Sequence, residues 1–561
     1  MNSKVHSFHI LSFLFFFSSC SHFLEKEKPD SISSMVVSAH PIASIIGTDI
    51  LKKGGNAADA TVAVHFALAV VYPSAGNIGG GGFFVYRTNK GEYSSLDFRE
   101  KAPLKSSRNM YLDSNNEVIE GLSTNSHLAV GVPGSVDGMV NIHDKYGELS
   151  WEELIQPSID LASNGFVITK LEADKLNNFN NGKGLINDNT EYNKPNYKPG
   201  DSLSLPNLAK TLIKIRDYKR SGFYSGEVAL MLIDQMKVSG GIINQQDLDD
   251  YKSIWRKPII SRYKNFKVIS MGPPSSGGIL LSQMLKMSEK FPFRDYGFHS
   301  KNSIHLMTEI EKLSFADRAK YLGDPDFWKV PENQLLDSAY LMERVKNLSL
   351  DSVIPSSKVF AGKFNNLESN ETTHFSIVDS KGNASAVTTT LNGSFGSGIV
   401  VSGAGFLLNN EMDDFSIQPG YPNMYGLVGG EANSIKPNKR MLSSMTPTII
   451  EKDDKLFLVL GSPGGSTIIT AVFQTIINVI DHQMGIQEAV NAPRFHHQWF
   501  PDEIKLETKI AKDTLLVQQL KDLNHKLNFV NSMNRVDAIL IKNNKLFGGA
   551  DYRGDDMISS Y

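Results

Sequence analysis

The chain has 561 residues, 41% of them hydrophobic and 21% charged, which is the ordinary make-up of a globular, enzyme-sized protein with a sizeable core. Its net charge of −3 supplies no basic field for nucleic acid. The single cysteine, Cys20, excludes an intramolecular disulfide, so packing alone must hold the fold together.

Residues 1–20 read as a leader. Met1 to His9 carry Lys4 and no acid, Ile10 to Phe17 are apolar, and Ser18-Ser19 are small. This is a secretory signal, too short to span a bilayer as a mature helix. Phe17-Ser18-Ser19-Cys20 resembles a bacterial lipoprotein processing site, with Phe where Leu is usual. Lipid anchoring at Cys20 and plain cleavage nearby are both open, and either implies an exported, periplasmic or membrane-anchored protein. Residues 21–34 are a polar tether, and the fold is expected to begin at Met35.

Ala43 to Leu51 has apolar residues at helical spacing and stops at Gly54-Gly55; Asn56 to Val71 is apolar on nearly every face and predicts a buried helix ended before Pro73. Gly79-Gly80-Gly81-Gly82 precedes the strand-like Phe83-Phe84-Val85-Tyr86. No Lys-Ser or Lys-Thr follows, so these glycines predict close backbone packing rather than a phosphate loop. Residues 150–264 read as mainly helical around a polar loop, 177–201. Met271 to Gly278 is a sharp turn before an apolar helix, Ile304 to Tyr321 is a further helix, and Ser349 to Ser369 is a polar lead-in.

Thr373-His374-Phe375-Ser376-Ile377-Val378 and Ala384 to Asn392 are strand-like runs flanking the turn Asp379-Ser380-Lys381-Gly382-Asn383. They predict a hairpin. If it is symmetric about Lys381, Thr372 faces Thr390, Thr388 faces His374, and Asn392 shares the face of Thr390. Thr–Thr pairs are also common in ordinary sheets, so spacing alone does not make this pair functional.

Four segments occur in order: Glu371-Thr372-Thr373-His374-Phe375-Ser376, Leu408-Asn409-Asn410-Glu411-Met412-Asp413-Asp414-Phe415, Lys439-Arg440-Met441-Leu442-Ser443-Ser444-Met445, and Gly461-Ser462-Pro463-Gly464-Gly465-Ser466. Together they resemble the γ-glutamyltransferase family of N-terminal nucleophile hydrolases, from about Val36 to Tyr561. The resemblance implies an α+β fold, a four-layer αββα sandwich. It also implies an autocatalytic cut between Glu371 and Thr372, giving a large subunit 35–371 and a small catalytic subunit 372–561 that form an intertwined heterodimer. The cut frees an α-amine on Thr372 with an ordinary pKa of about 7.7–8.0, low enough to serve as the base for its own hydroxyl.

The same resemblance assigns roles. Thr390 assists Thr372, and the Gly464 and Gly465 amides hold the oxyanion, a donor being worth about 3–4 kcal/mol of barrier. Arg99, in Asp97-Phe98-Arg99-Glu100, grips the substrate α-carboxylate with two parallel hydrogen bonds, aided by Ser443 and Ser444. Glu411 and Asp414 bind the α-ammonium, Asn392 contacts substrate, and Tyr425 closes a Pro/Gly-rich lid over residues 419–430. The expected chemistry is attack on the γ-carbonyl of glutathione, glutamine or a related compound, with transfer to water or to an acceptor amino acid or peptide. No cofactor is implied. The acidic segment 408–415 lacks metal-ligand spacing, and His496-His497 point apart, so no metal is expected. A β-lactam-side-chain acylase or a poly-γ-glutamate-cleaving enzyme is the alternative within the superfamily, and a non-catalytic surface lipoprotein that binds γ-glutamyl ligands is the alternative outside it. Arg99, Ser443-Ser444 and the lid argue against the first two, and an intact Thr372 against the third.

Overall fold

The computed structural model describes residues 33–182, 190–362, 373–418 and 420–561. The leader with Cys20, and Glu371 and Thr372 at the expected cut, lie outside the described residues.

Two antiparallel sheets stack face to face. The first has seven strands in the order Met557–Ser560, Met35–Ser38, Thr373–Val378, Ala384–Thr390, Gly81–Arg87, Tyr93–Asp97, Ile254–Arg256. The second has six: Lys545–Gly549, Asp537–Lys542, Lys455–Gly461, Thr448–Lys452, Phe266–Ser270, Ile259–Tyr263. Alternation along each strand sorts side chains between layers. Met35, Val37, Phe83 and Val85 meet Ile269, Ile449, Val459 and Ile539 in the core between the sheets. Val36, Phe84 and Tyr86 point the other way, into the layer containing helix Ala57–Val71. Ile450, Leu458 and Leu460 point into the opposite layer, with helices Gly277–Ser288, Lys301–Tyr321 and Thr467–Ile480. The result is the expected αββα sandwich. The first sheet interleaves strands from both sides of the 371/372 junction, so the two expected subunits form one body of packed sheet.

Helix Ala57–Val71 is buried at every position, as its all-round apolar sequence requires. Its N-terminus is closed by a capping box between Asn56 and Asp59. The Ala57 N–H donates to Asp379 Oδ2 at 2.9 Å, while Asp379 Oδ1 accepts from Lys381 N and Asn383 N. One aspartate thus fixes both the hairpin turn and the helix that packs beneath it.

The hairpin register is the expected one. Val378 pairs with Ala384, His374 with Thr388, and Thr373 with Thr389. One expectation fails: the strand ends at Thr390, and Asn392 lies beyond it in the left-handed region at φ 67°, so it does not continue the strand face of Thr390. The helix before the polar loop also runs to Asn181, later than the sequence pattern suggests. Among the described residues no helix is long and apolar enough to cross a membrane.

The glycine run 79–82 is a packing device. A Cβ on Gly80 would stand 1.9 Å from Thr390 O, and one on Gly81 2.5 Å from Phe98 O. Both obstacles are backbone. Gly80→Ala is expected to cost about 1–3 kcal/mol through overpacking, read as a lowered thermal midpoint. Gly485→Ala, at a glycine with open space around its Cβ position, should leave the midpoint nearly unchanged.

Candidate active site

The pairing registers bring several chain ends to one edge of the sandwich. Strand Ala384–Thr390 ends where Gly81–Arg87 begins, since Thr390 pairs with Gly81. Strand Tyr93–Asp97 ends beside them, with Asp97 opposite Phe83. Strand Thr373–Val378 starts at the same edge, with Thr373 opposite Thr389. From the second sheet, Lys455–Gly461 ends against His374: a Cβ on Gly461 would lie 2.3 Å from His374 Nδ1. The sheets touch there because residue 461 has no side chain.

His374 is fully buried. Its Nδ1 lies 3.0 Å from Thr388 Oγ1 and its Nε2 3.0 Å from Ser376 Oγ. Burial pushes its pKa down to about 3, so the ring is neutral and acts as a fixed spacer between the sheets. Thr390 is also buried, and its hydroxyl accepts from Asn392 N at 2.7 Å. Asn77 Nδ2 donates to Thr390 O at 2.8 Å, and Asn77 Oδ1 accepts from Gly80 N. Asn392 donates through Nδ2 to Asn410 O at 3.0 Å. Its buried Oδ1 has no partner among the described residues.

The turn 462–466 follows strand Lys455–Gly461 and opens helix Thr467–Ile480. Gly464 and Gly465 take φ of 122° and 65°, which other residues rarely adopt. A Cβ on Gly464 would also sit 2.4 Å from Asn534 Cβ. Neither glycine N–H meets an acceptor among the described residues.

Arg99 is at the centre of a buried ionic cluster. Nη1 binds Glu411 Oε1 and Nη2 binds Asp414 Oδ2, and all three side chains have no exposure. Nε and Nη2 also donate to Met441 O at 3.3 Å and Leu442 O at 3.4 Å. The carboxylates expected to hold an ammonium and the arginine expected to hold a carboxylate are therefore in direct contact. Ser443 and Ser444 follow immediately. The Ser443 carbonyl accepts from Ser276 N at 2.6 Å and from Ser276 Oγ at 2.7 Å, which gives the turn before helix Gly277–Ser288 a supporting role. Ser444 Oγ accepts from Arg318 Nη2 at 3.1 Å.

Tyr425 lies in a loop closed on itself by Gly420 N to Gly429 O at 2.7 Å and Asn423 N to Leu427 O at 2.9 Å. Asp413 ties that loop down, accepting from Met424 N at 3.1 Å and from Ser123 Oγ at 2.6 Å. Pro419, the loop's first residue, lies outside the described residues. His496 is occupied by Thr470 Oγ1 and Gln498 Oε1, both at 2.9 Å, and His497 Nε2 faces Asp502 at 3.3 Å.

Sequence reasoning passed over Arg318, Asp413 and Glu100. Arg318 lies mid-helix and far along the chain from Ser444, so no local pattern marks it. Glu100 carried a signal, since it directly follows Arg99. It is fully buried, 3.7 Å from Arg99 Nη1, and both its oxygens and Glu411 Oε2 lack a hydrogen-bond donor among the described residues. Three carboxylates thus surround one guanidinium with no access to water. Burial, and then the neighbouring carboxylate, push Glu100 well above the usual range; burial does the same to Glu411 although Arg99 opposes it. Burial would lower the pKa of Arg99, but Glu411, Asp414 and Glu100 outweigh it and hold the guanidinium charged. The Glu100–Glu411 pair is therefore biased toward sharing a proton.

The sign of the linkage follows. A carboxyl with a raised folded pKa binds more protons folded than unfolded, so stability falls as pH rises from the unfolded pKa of about 4.3 through the folded one. Glu411→Gln removes one titrating partner and leaves an amide to donate to Glu100. The variant's thermal midpoint is expected to fall less than the wild type's between about pH 5 and pH 8. An equal fall in both would refute a shared proton.

A sequence model described as gamma-glutamyltranspeptidase matches residues 43–561. A glutathione hydrolase proenzyme of Escherichia coli is 46% identical over 536 residues, covering 94% of this chain and 92% of its own. Among solved structures, a cephalosporin acylase from Bacillus halodurans superposes with a TM-score of 0.83 at 26% identity, over 95% of this chain and 96% of that one. A Helicobacter pylori gamma-glutamyltranspeptidase chain gives 0.57 at 42% identity, over 60% of this chain and 97% of that one.

Proposed function

The chain belongs to the gamma-glutamyltranspeptidase family, and from that premise we propose that it is an autoprocessed γ-glutamyltransferase and glutathione hydrolase with Thr372 as its nucleophile. The observation that carries the reading is the hairpin register. Thr373 pairs with Thr389 at the edge where Gly461 and the Gly464–Gly465 turn arrive from the second sheet, which supports a nucleophile supplied by the residue that precedes Thr373 in the chain.

The steps follow from that placement. The hydroxyl of Thr372 attacks the peptide carbonyl of Glu371, and hydrolysis of the resulting ester leaves a new amino terminus at Thr372. In the mature enzyme that amine takes the hydroxyl proton as Thr372 attacks the γ-carbonyl of a γ-glutamyl compound. Thr390 orients the nucleophile, and the Gly464 and Gly465 amides receive the developing oxyanion. The amine of the leaving group departs with a proton, and water or an acceptor amino acid or peptide takes the γ-glutamyl group from the ester. The large piece 35–371 and the small piece 372–561 remain together through the shared first sheet.

The substrate's own charges match the buried cluster. Its α-ammonium meets Glu411 and Asp414, and its α-carboxylate meets Arg99 near Ser443 and Ser444. Asn392 offers its buried Oδ1. Tyr425 and its loop cover the bound group. An acylase acting on side chains without an α-amino acid head would have no use for this cluster, which favours γ-glutamyl substrates. The leader implies export, with Cys20 a candidate for a lipid anchor.

Thr372→Ala is expected to remain a single chain on a denaturing gel and to lack activity, whereas the wild type yields a smaller fragment whose amino-terminal sequence begins at Thr372. Normal cleavage of the variant would end the autocatalytic reading. Arg99→Lys keeps charge but loses the two-pronged grip. It should mature normally and lose at least about tenfold in kcat/KM on a γ-glutamyl substrate, roughly the loss of one charge-assisted hydrogen bond. A substrate lacking the α-carboxylate should separate the two enzymes far less.

A further inference from the structure

The helix Lys301–Tyr321 is buried along nearly its whole length and carries polar groups that the proposed reaction does not use. His305 and Glu309 are one turn apart on it and so face the same way. His525, just beyond helix Thr514–Asp522, completes a cluster in which one ligand atom from each residue lies within 4.8 Å of the others. All three side chains are buried. His305 Nδ1 and His525 Nε2 are 2.8 Å apart, and His305 Nε2 lies 2.8 Å from Ser349 O. A carbonyl can only accept, so Nε2 carries the hydrogen and Nδ1 presents its lone pair to the cluster. Backbone anchoring of the outer ring nitrogen is how metal-binding histidines are commonly oriented.

We propose that His305, Glu309 and His525 form a site for a zinc-like divalent cation, reached from the cavity that His525 lines. That cavity is about 560 Å³ and is also walled by His497, Asp502, Asp351 and Lys526. Two imidazoles and a carboxylate are a borderline donor set that suits zinc over calcium or magnesium, which prefer oxygen alone. Burial pushes the pKa of His525 down to about 2 and lowers that of His305, so both rings are neutral donors. The opposing group is Lys312, whose Nζ is 2.5 Å from Glu309 Oε1 and 2.5 Å from Ile354 O. It competes with a cation for the same carboxylate and sets a limit on affinity. His305 and Glu309 precede the Glu371–Thr372 junction and His525 follows it. On the reading that this junction is cut, the ion would tie the two subunits together away from the catalytic edge.

The test uses the full-length processed protein after treatment with a chelator and dialysis. Titration calorimetry with ZnCl2 should give one ion per chain, and CoCl2 should give the visible bands of a tetrahedral cobalt site. His525→Ala should abolish both, Glu309→Gln should weaken zinc binding at least about tenfold, and Lys312→Met should tighten it. Near-ultraviolet circular dichroism verifies that Glu309→Gln is folded, so a fold defect in His525→Ala would not blur the outcome. Wild-type uptake no greater than that of His525→Ala, or cobalt bands surviving in both variants, would overturn the site. Zinc should also raise the temperature at which the subunits of the wild type separate, and stoichiometric binding without that rise would overturn the tie. Metal uptake is read whether or not the chain is cleaved, so failure of the site and failure of the processing reading are distinguishable.

Discussion

The register between strands Thr373–Val378 and Ala384–Thr390 sets the position of everything at the edge where the candidate site residues meet. Asp379 holds the turn on one side and the N-terminus of helix Ala57–Val71 on the other, so the hairpin cannot slip without breaking a buried helix cap. A slip of one residue would also send His374 and Ser376 to the opposite face of the sheet. There they would leave Thr388, Asp537 and the close approach of Gly461. The packing of both sheets therefore enforces the one pairing that sets Thr373 opposite Thr389.

A second constraint is electrostatic. Arg99, Glu100, Glu411 and Asp414 are packed together without exposure, and full ionisation there would set three negative charges against one positive. Burial raises the pKa of both Glu100 and Glu411, which favours a proton shared between them.

The supporting elements are drawn from distant parts of the chain. Arg318 reaches Ser444 from the middle of one helix, Ser276 holds the Ser443 carbonyl from the start of another, and Asp413 ties down the loop that carries Tyr425. Each serves the site through a residue that local sequence does mark. The same helix that supplies Arg318 carries His305 and Glu309, so its interior load of polar groups has two separate outlets.

Local sequence was enough to determine the elements. The all-round apolar run 57–71 could only be a buried helix, the turn at 379–383 could only join two strands, and their symmetry about Lys381 set the pairing, because strand periodicity and turn chemistry act within a few residues. The ordered motifs carried the family and, through it, the four-layer fold and the candidate residues. Sequence alone misplaced Asn392, since whether a strand continues past Thr390 depends on the loop at Asn410 that captures its side chain. It also left the state of the Arg99 cluster open. Whether Glu411 faces Arg99, and whether Glu100 is buried with it, depends on how residues 99, 100, 411 and 414 are brought together. Only the tertiary structure decides that, because the energy of a buried charge is set by what surrounds it in space and not by its neighbours along the chain.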